Sequence, residues 1–213
     1  MSQWAFGLNC YVILVVTKAS KSMTQAELSK HLKKNHELIL DEQSKLLTQI
    51  DFDAVSLIIP YLKEAKRIFV TGAGRSGLAM KSAAMRLMHF GFTVYVVGET
   101  TSPAIEEGDL LITASGSGTT SSVVTASEKA KKAGAKVVSY STTTSSPLAQ
   151  NSDLVVIITA AQKQDHGKTI SAQYAGSLFE QAILLLSDAV FQTLWDEKGT
   201  PAEELWKRHA NLE

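Results

Sequence analysis

One cysteine, four prolines and no excess of either charge define this 213-residue chain by what it lacks. A lone Cys10 excludes a disulfide framework and a cysteine-rich zinc site, so a reducing, cytoplasmic setting is expected. Lys plus Arg and Asp plus Glu both number 21, leaving no basic surplus to favour a nucleic-acid backbone or an anionic membrane. The longest uninterrupted apolar run, Cys10 to Val16, is seven residues, against about 20 for a membrane-spanning helix. No Lys or Arg precedes that run, which argues against a secretory signal. What remains is an ordinary globular balance, 45% hydrophobic and 20% charged, on a chain long enough for one well-packed α/β domain.

Residues 1–22 read differently from the rest. Met23 is followed by Thr24-Gln25-Ala26-Glu27, in which Thr24 is placed to cap a helix and Glu27 to reach back. The expected organisation is an extension over 1–22 and a single domain over 23–213; a buried amino-terminal strand is the alternative for the first segment. From Thr24 to Lys66 the apolar spacing is helical, with Asp51 or Asp53 capping a second helix through Leu62. Short β-rich runs then alternate with helical patterns. Strands are expected at 67–71, 93–97, 110–114, 136–140 and 154–159. Helices are expected through His89 with Gly91 as stop, through Lys132, from about Gln173 to Trp195, and after Pro201. That alternation predicts right-handed βαβ units and a parallel sheet covered on both faces.

Ligands of such sheets bind beyond the carboxyl ends of the strands. Two loops there are chemically suited to an anion. Gly72-Ala-Gly-Arg-Ser-Gly77 follows the first strand and opens a helix, placing Gly74, Arg75 and Ser76 beside free N–H groups. Ser115-Gly116-Ser117-Gly118-Thr119-Thr120 follows the third, with four hydroxyls at another helix start. Together they describe an uncharged cradle of dipoles and hydroxyls. The first loop also matches the dinucleotide fingerprint, and Glu99 lies 22 residues past Gly77, near where a ribose-binding carboxylate belongs. An NAD(P)-binding protein is therefore a rival reading, though that fold does not call for the second, hydroxyl-rich loop.

The pairing of Gly-Arg-Ser-Gly with Ser-Gly-Ser-Gly-Thr-Thr resembles the sugar isomerase (SIS) domain family. More narrowly, 72–77, Met85–Gly91, Val97–Pro103, Gly176–Gln181 and Arg208–Glu213 are similar to the 6-phospho-3-hexuloisomerases of that family. The resemblance covers about residues 24–213. It implies a three-layer α/β/α fold with a five-stranded flavodoxin-like sheet and a homotetramer whose sites are shared between subunits. The implied reaction interconverts D-arabino-hex-3-ulose 6-phosphate and D-fructose 6-phosphate, in the ribulose monophosphate pathway of formaldehyde fixation. A non-catalytic phosphosugar-binding regulatory module is the alternative, although no basic helix-turn-helix precedes Arg67.

Moving a carbonyl between C3 and C2 needs a base between the carbons and an acid for the oxygens, without redox cofactor or metal. Glu180 is the expected base. It lies near the start of an almost wholly apolar helix, and Gln173, Ser177 and Glu180 share a face at i, i+4, i+7 spacing. A dipole-stabilising glutamate is the plainer reading. His89 is the expected acid, with His209 as second candidate. Thirteen residues of helix, about 20 Å, separate His89 from Ser76, so it would act in a neighbour's site. A histidine that merely finishes a helix is the plainer reading there. The polar stretch Gln162–Lys168, with His166, is placed either to fold over a ligand or simply to be solvated.

Overall fold

The computed structural model describes residues 22–165 and 170–212. Residues 1–21 of the extension expected over 1–22 lie outside them, as does His166. The chain divides into two compact units, Met1–His36 and Glu37–Glu213. Within the first, Thr24 N–H donates to Glu27 Oε2 at 2.8 Å and Glu27 N–H to Thr24 Oγ1 at 3.3 Å, the reciprocal cap expected at the start of α1 (Gln25–Leu47). The remaining elements, in order, are α2 (Phe52–Ser56), α3 (Ile58–Glu64), β1 (Ile68–Gly72), α4 (Gly74–Phe90), β2 (Val94–Val96), β3 (Leu110–Ala114), α5 (Ser121–Lys132), β4 (Lys136–Ser141), α6 (Pro147–Gln150), β5 (Leu154–Ile157), α7 (Ser177–Lys198) and α8 (Ala202–Trp206). Among the described residues, no helix is long and apolar enough to cross a membrane.

The sheet is wholly parallel in the order β2-β1-β3-β4-β5, the flavodoxin-like order expected. Its strands are apolar on both faces because helices cover both. Ile68, Val70, Leu110, Ile112, Val138 and Tyr140 enter the larger core with α3, α4 and α7; Phe69, Leu111 and Val137 alternate into a smaller one beside α5. At the amino ends of the strands, Arg67 grips the buried Asp109 through Nε (3.0 Å) and Nη2 (2.6 Å), tying β1 to β3. The register pairs Gly72 with Ala114, so the loops leaving β1 and β3 start side by side at the point where strand order reverses.

Two helix boundaries differ from the expectation. Asp51 does cap a helix, accepting from Ala54 N–H at 3.0 Å, but the expected single helix is two, α2 and α3, meeting at Leu57. The long helix begins at Ser177 rather than near Gln173, because Ala175 takes a left-handed conformation (φ +50°) that a continuing helix does not allow.

Candidate active site

The start of α4 is set by close packing between strand and helix. A Cβ on Gly77 would come within 2.6 Å of the Gly72 carbonyl oxygen, so this turn closes only around glycine. Ala73 is the extended residue before α4 and supplies no side-chain cap, and Ser76 is buried one turn in. The loop after β3 is tied internally. Ser115 Oγ and Thr120 Oγ1 share a hydrogen bond of 2.9 Å, as do Ser117 Oγ and Thr119 Oγ1. The Gly116 carbonyl accepts from Thr142 N–H at 3.0 Å and Thr142 Oγ1 at 2.8 Å, which fastens this loop to the end of β4. Thr120 precedes α5 and offers its first turn no side-chain cap. Two helix starts thus present backbone donors to the same place.

Between them lies a cavity of ≈ 140 Å³. Ser76, Ser115, Gly116, Ser117 and Thr120 line one side; Glu180, Phe179 and Gly176 of the α7 start line another. Glu180 is only 8% exposed, and its Oε2 lies 2.8 Å from Arg75 Nε. Arg75 itself is largely exposed and belongs to an outer cleft that shares Glu180 with the cavity. The carboxylate therefore stands in the wall between the two, held from outside by a guanidinium.

The remaining wall is Ala161, Gln162, Lys163 and Gln164, from the segment after β5. Gln162 Nε2 donates to Thr142 Oγ1 at 2.9 Å. The Lys163 stem lies over Gly176 and its ammonium over Gly74, each 3.5 Å from where a Cβ would stand. The cradle is therefore not uncharged, as the two loops alone suggest: a lysine completes it. The signal was present, since this segment leaves the carboxyl end of a strand as the other two loops do.

Of the residues singled out from the sequence, Ser76, Ser115, Gly116, Ser117, Thr120 and Glu180 meet at the cavity, whereas Gly74, Arg75, Gly118 and Thr119 flank it. Gly118 answers a packing need: at φ +63° its Cβ would fall 2.1 Å from Ser146 Oγ. The polar stripe on the long helix dissolves. Gln173 lies before α7 and hydrogen-bonds Glu42, Ser177 Oγ donates to the Tyr174 carbonyl, and Glu180 alone enters the cavity. Asp188 faces Arg86 at 3.7 Å, a structural pairing. Glu99 pairs with Lys81 at 2.6 Å, away from the cavity.

His89 lies at the far end of α4, buried, and does not line the cavity. His209 stacks on it with ring centroids 3.9 Å apart, and Trp206 stacks on His209 at 4.3 Å. Burial, then the neighbouring His209 and Arg86, push the His89 imidazole below its ordinary pKa. Among the described residues its Nδ1 has no hydrogen-bond partner. What this cavity can do chemically is bind an anionic group among hydroxyls, helix-start N–H groups and Lys163 while presenting one carboxylate to the rest of the ligand.

Residues 61–185 match the SIS domain family model. The chain is 56% identical over 179 residues to the 3-hexulose-6-phosphate isomerase of Mycobacterium gastri, covering 84% of this chain and 90% of that protein. It is 39% identical to the 3-hexulose-6-phosphate isomerase of Bacillus subtilis (strain 168), covering 82% of this chain and 95% of the relative. Among solved structures, one from Methanococcus jannaschii, inferred to have a molecular function of 3-hexulose-6-phosphate isomerase, superposes with a TM-score of 0.73. It is 31% identical, covering 84% of this chain and 99% of the other.

Proposed function

The chain belongs to the SIS domain family, and from that premise we propose that its cavity isomerises a six-carbon ketose 6-phosphate. The enzyme interconverts D-arabino-hex-3-ulose 6-phosphate and D-fructose 6-phosphate, a step of the ribulose monophosphate pathway, in the cytoplasm. The observation that carries this reading is Glu180: a nearly buried carboxylate in the wall of a cavity otherwise built for an anion.

The phosphate sits among Ser115, Ser117, Thr120 and Ser76, where hydroxyls and helix-start N–H groups converge. Glu180 takes the proton from C2 of the 3-ketose, and the electron pair forms the C2–C3 double bond of a cis-enediol. The same carboxyl returns the proton to C3, while the O2 proton leaves and O3 gains one, so that the carbonyl moves to C2. Because O6 carries the phosphate, the 3-ketose cannot close a five-membered ring. Ring opening is therefore needed chiefly from the fructose 6-phosphate side.

The oxygen protons call for an acid, and the stacked His89–His209 pair supplies it to a neighbouring subunit's cavity. Thirteen residues of α4 put His89 about 20 Å from Ser76 of its own chain. Of the two rings, His89 is buried and His209 half-buried. Leu78 and Met85 on α4, and Leu184 and Leu185 on α7, are exposed apolar side chains that support self-association into a homotetramer. Mixing inactive Glu180→Gln subunits with His89→Phe subunits tests base, acid and sharing together. Activity should return once subunits exchange. A mixture that stays inactive after confirmed exchange, or a fully active His89→Phe enzyme, contradicts the shared site.

A further inference from the structure

The cavity wall that follows β5 is held to the end of β4 by Gln162, which donates to Thr142 Oγ1, and the chain leading from it to α7 is held from α1. Glu42 Oε2 accepts from Ser171 Oγ at 2.6 Å and from Gln173 Nε2 at 2.9 Å, while its Oε1 accepts from Ala172 N–H at 2.7 Å. Burial works against the Glu42 carboxylate, but the hydrogen bonds from Ser171, Ala172 and Gln173 outweigh it and hold its pKa below the ordinary value. The network continues towards the base. Gln181 Nε2 donates to Gln173 Oε1 at 2.9 Å, and Gln43 Nε2 donates to Gln181 Oε1 at 2.9 Å and to the Leu178 carbonyl at 3.3 Å. Gln181 is the neighbour of Glu180 in the chain, and Gly176, three residues past Gln173, lines the cavity beneath the Lys163 stem.

We propose that Glu42 is a positioning residue for substrate binding: its carboxylate fixes residues 171–173, and through them the Gly176 wall on which Lys163 rests. Glu42 touches no substrate. It is separated from Ser171 by 129 positions, and no other carboxylate hydrogen-bonds that segment among the described residues. Three donors on one carboxylate, from three successive residues, are more than a surface turn needs and suit a piece of backbone that must stay in one place. Because Glu180 is carried by α7, which Phe179, Ala182, Ile183 and Leu186 also anchor in the main core, loss of the tie reaches binding first and chemistry second.

The inference rests on the cavity being the substrate site, and its test separates the two. Glu42→Gln and Glu42→Ala are compared with Asp41→Asn, which removes a neighbouring exposed charge that pairs with Lys45. Hydrogen exchange at the Ala172 amide, read without substrate, should quicken in both Glu42 variants and not in Asp41→Asn. In Glu42→Ala the KM for hex-3-ulose 6-phosphate should rise about tenfold, the scale of one lost charge-assisted hydrogen bond, with kcat changed by less than about threefold. Glu42→Gln, which keeps an acceptor, should fall between. Unchanged exchange at Ala172, or quickened exchange with an unchanged KM, overturns the proposal. So does a fall in kcat and rise in KM that merely track loss of folded protein. An inactive wild-type enzyme overturns the site reading instead, and the exchange result still decides whether Glu42 holds the segment.

Discussion

Replacing Gly118 by alanine should damage the cavity loop far more than the same change at Gly199, although both residues have φ +63°. The backbone contribution is therefore shared, about 1–2 kcal/mol for an L side chain in the left-handed region. The surroundings are not shared. Around Gly199 nothing lies within 4 Å of a new Cβ, whereas at Gly118 the Cβ would fall 2.1 Å from Ser146 Oγ and 2.6 Å from Ser146 Cβ. Ser146 has nowhere easy to go: it is buried and caps α6 by accepting from Ala149 N–H at 3.2 Å. Relieving the clash costs about 1–3 kcal/mol of overpacking, and displacing the cap a further ~0.5–2 kcal/mol. Gly118→Ala should lose about 2.5–7 kcal/mol and Gly199→Ala about 1–2, a difference visible against the ~5–15 kcal/mol stability of a typical domain. Equilibrium urea unfolding at one fixed protein concentration reads both, since self-association would otherwise shift the midpoints. Equal losses in the two variants would refute the claim that Ser146 is what demands a glycine at 118.

Two further predictions concern charge. His89 is shifted down from the ordinary 6.5 by burial first, then by His209 and Arg86, so the unfolded chain takes up a proton that the folded one refuses. Its contribution to stability is complete above about pH 6.5 and is lost as the pH falls below it. Urea midpoints at pH 7.5 and 5.5 should therefore differ less in His89→Phe, which keeps the stacked ring, than in wild type; an equal difference contradicts the reading. Lys163→Met should leave the fold intact but raise KM for the phosphosugar about tenfold and flatten its salt dependence. An unchanged KM with an unchanged salt slope would remove Lys163 from the site.

The parallel sheet is legible in the sequence because each strand's apolar pattern is local, and because the stops are chemical: Gly91 ends α4 at φ +113° and Asp51 caps α2, whereas the strand order follows only from the resemblance to the SIS family. The hydroxyl cradle is legible for the same reason, as two loops at the ends of adjacent strands. What could not be read are contacts between distant residues and single backbone angles. Gln173, Ser177 and Glu180 fit a helical period, yet one left-handed residue, Ala175, ends the pattern and frees Gln173 for Glu42. Gly118 reads as part of the anion-binding loop until Ser146, 28 positions on, is seen beside it. The stacking of His209 on His89 joins residues 120 apart, and no local pattern announces it. Lys163 is the exception, since its segment leaves the carboxyl end of a strand as the two cradle loops do, a local feature of the sequence.

The central claim is that a cavity of hydroxyls, helix starts and one lysine, with Glu180 in its wall, moves a carbonyl between C3 and C2. The most direct measurement supplies hex-3-ulose 6-phosphate to the purified protein in deuterated water, with EDTA present and no nicotinamide cofactor. Fructose 6-phosphate formation and deuterium at the exchanged carbon are followed in wild type and Glu180→Gln. Wild type should form fructose 6-phosphate carrying solvent deuterium, and Glu180→Gln should slow both by about 10²–10⁴-fold while still binding the substrate. Near-normal turnover in Glu180→Gln, or product formed by wild type only when a nicotinamide cofactor is added, would contradict the account.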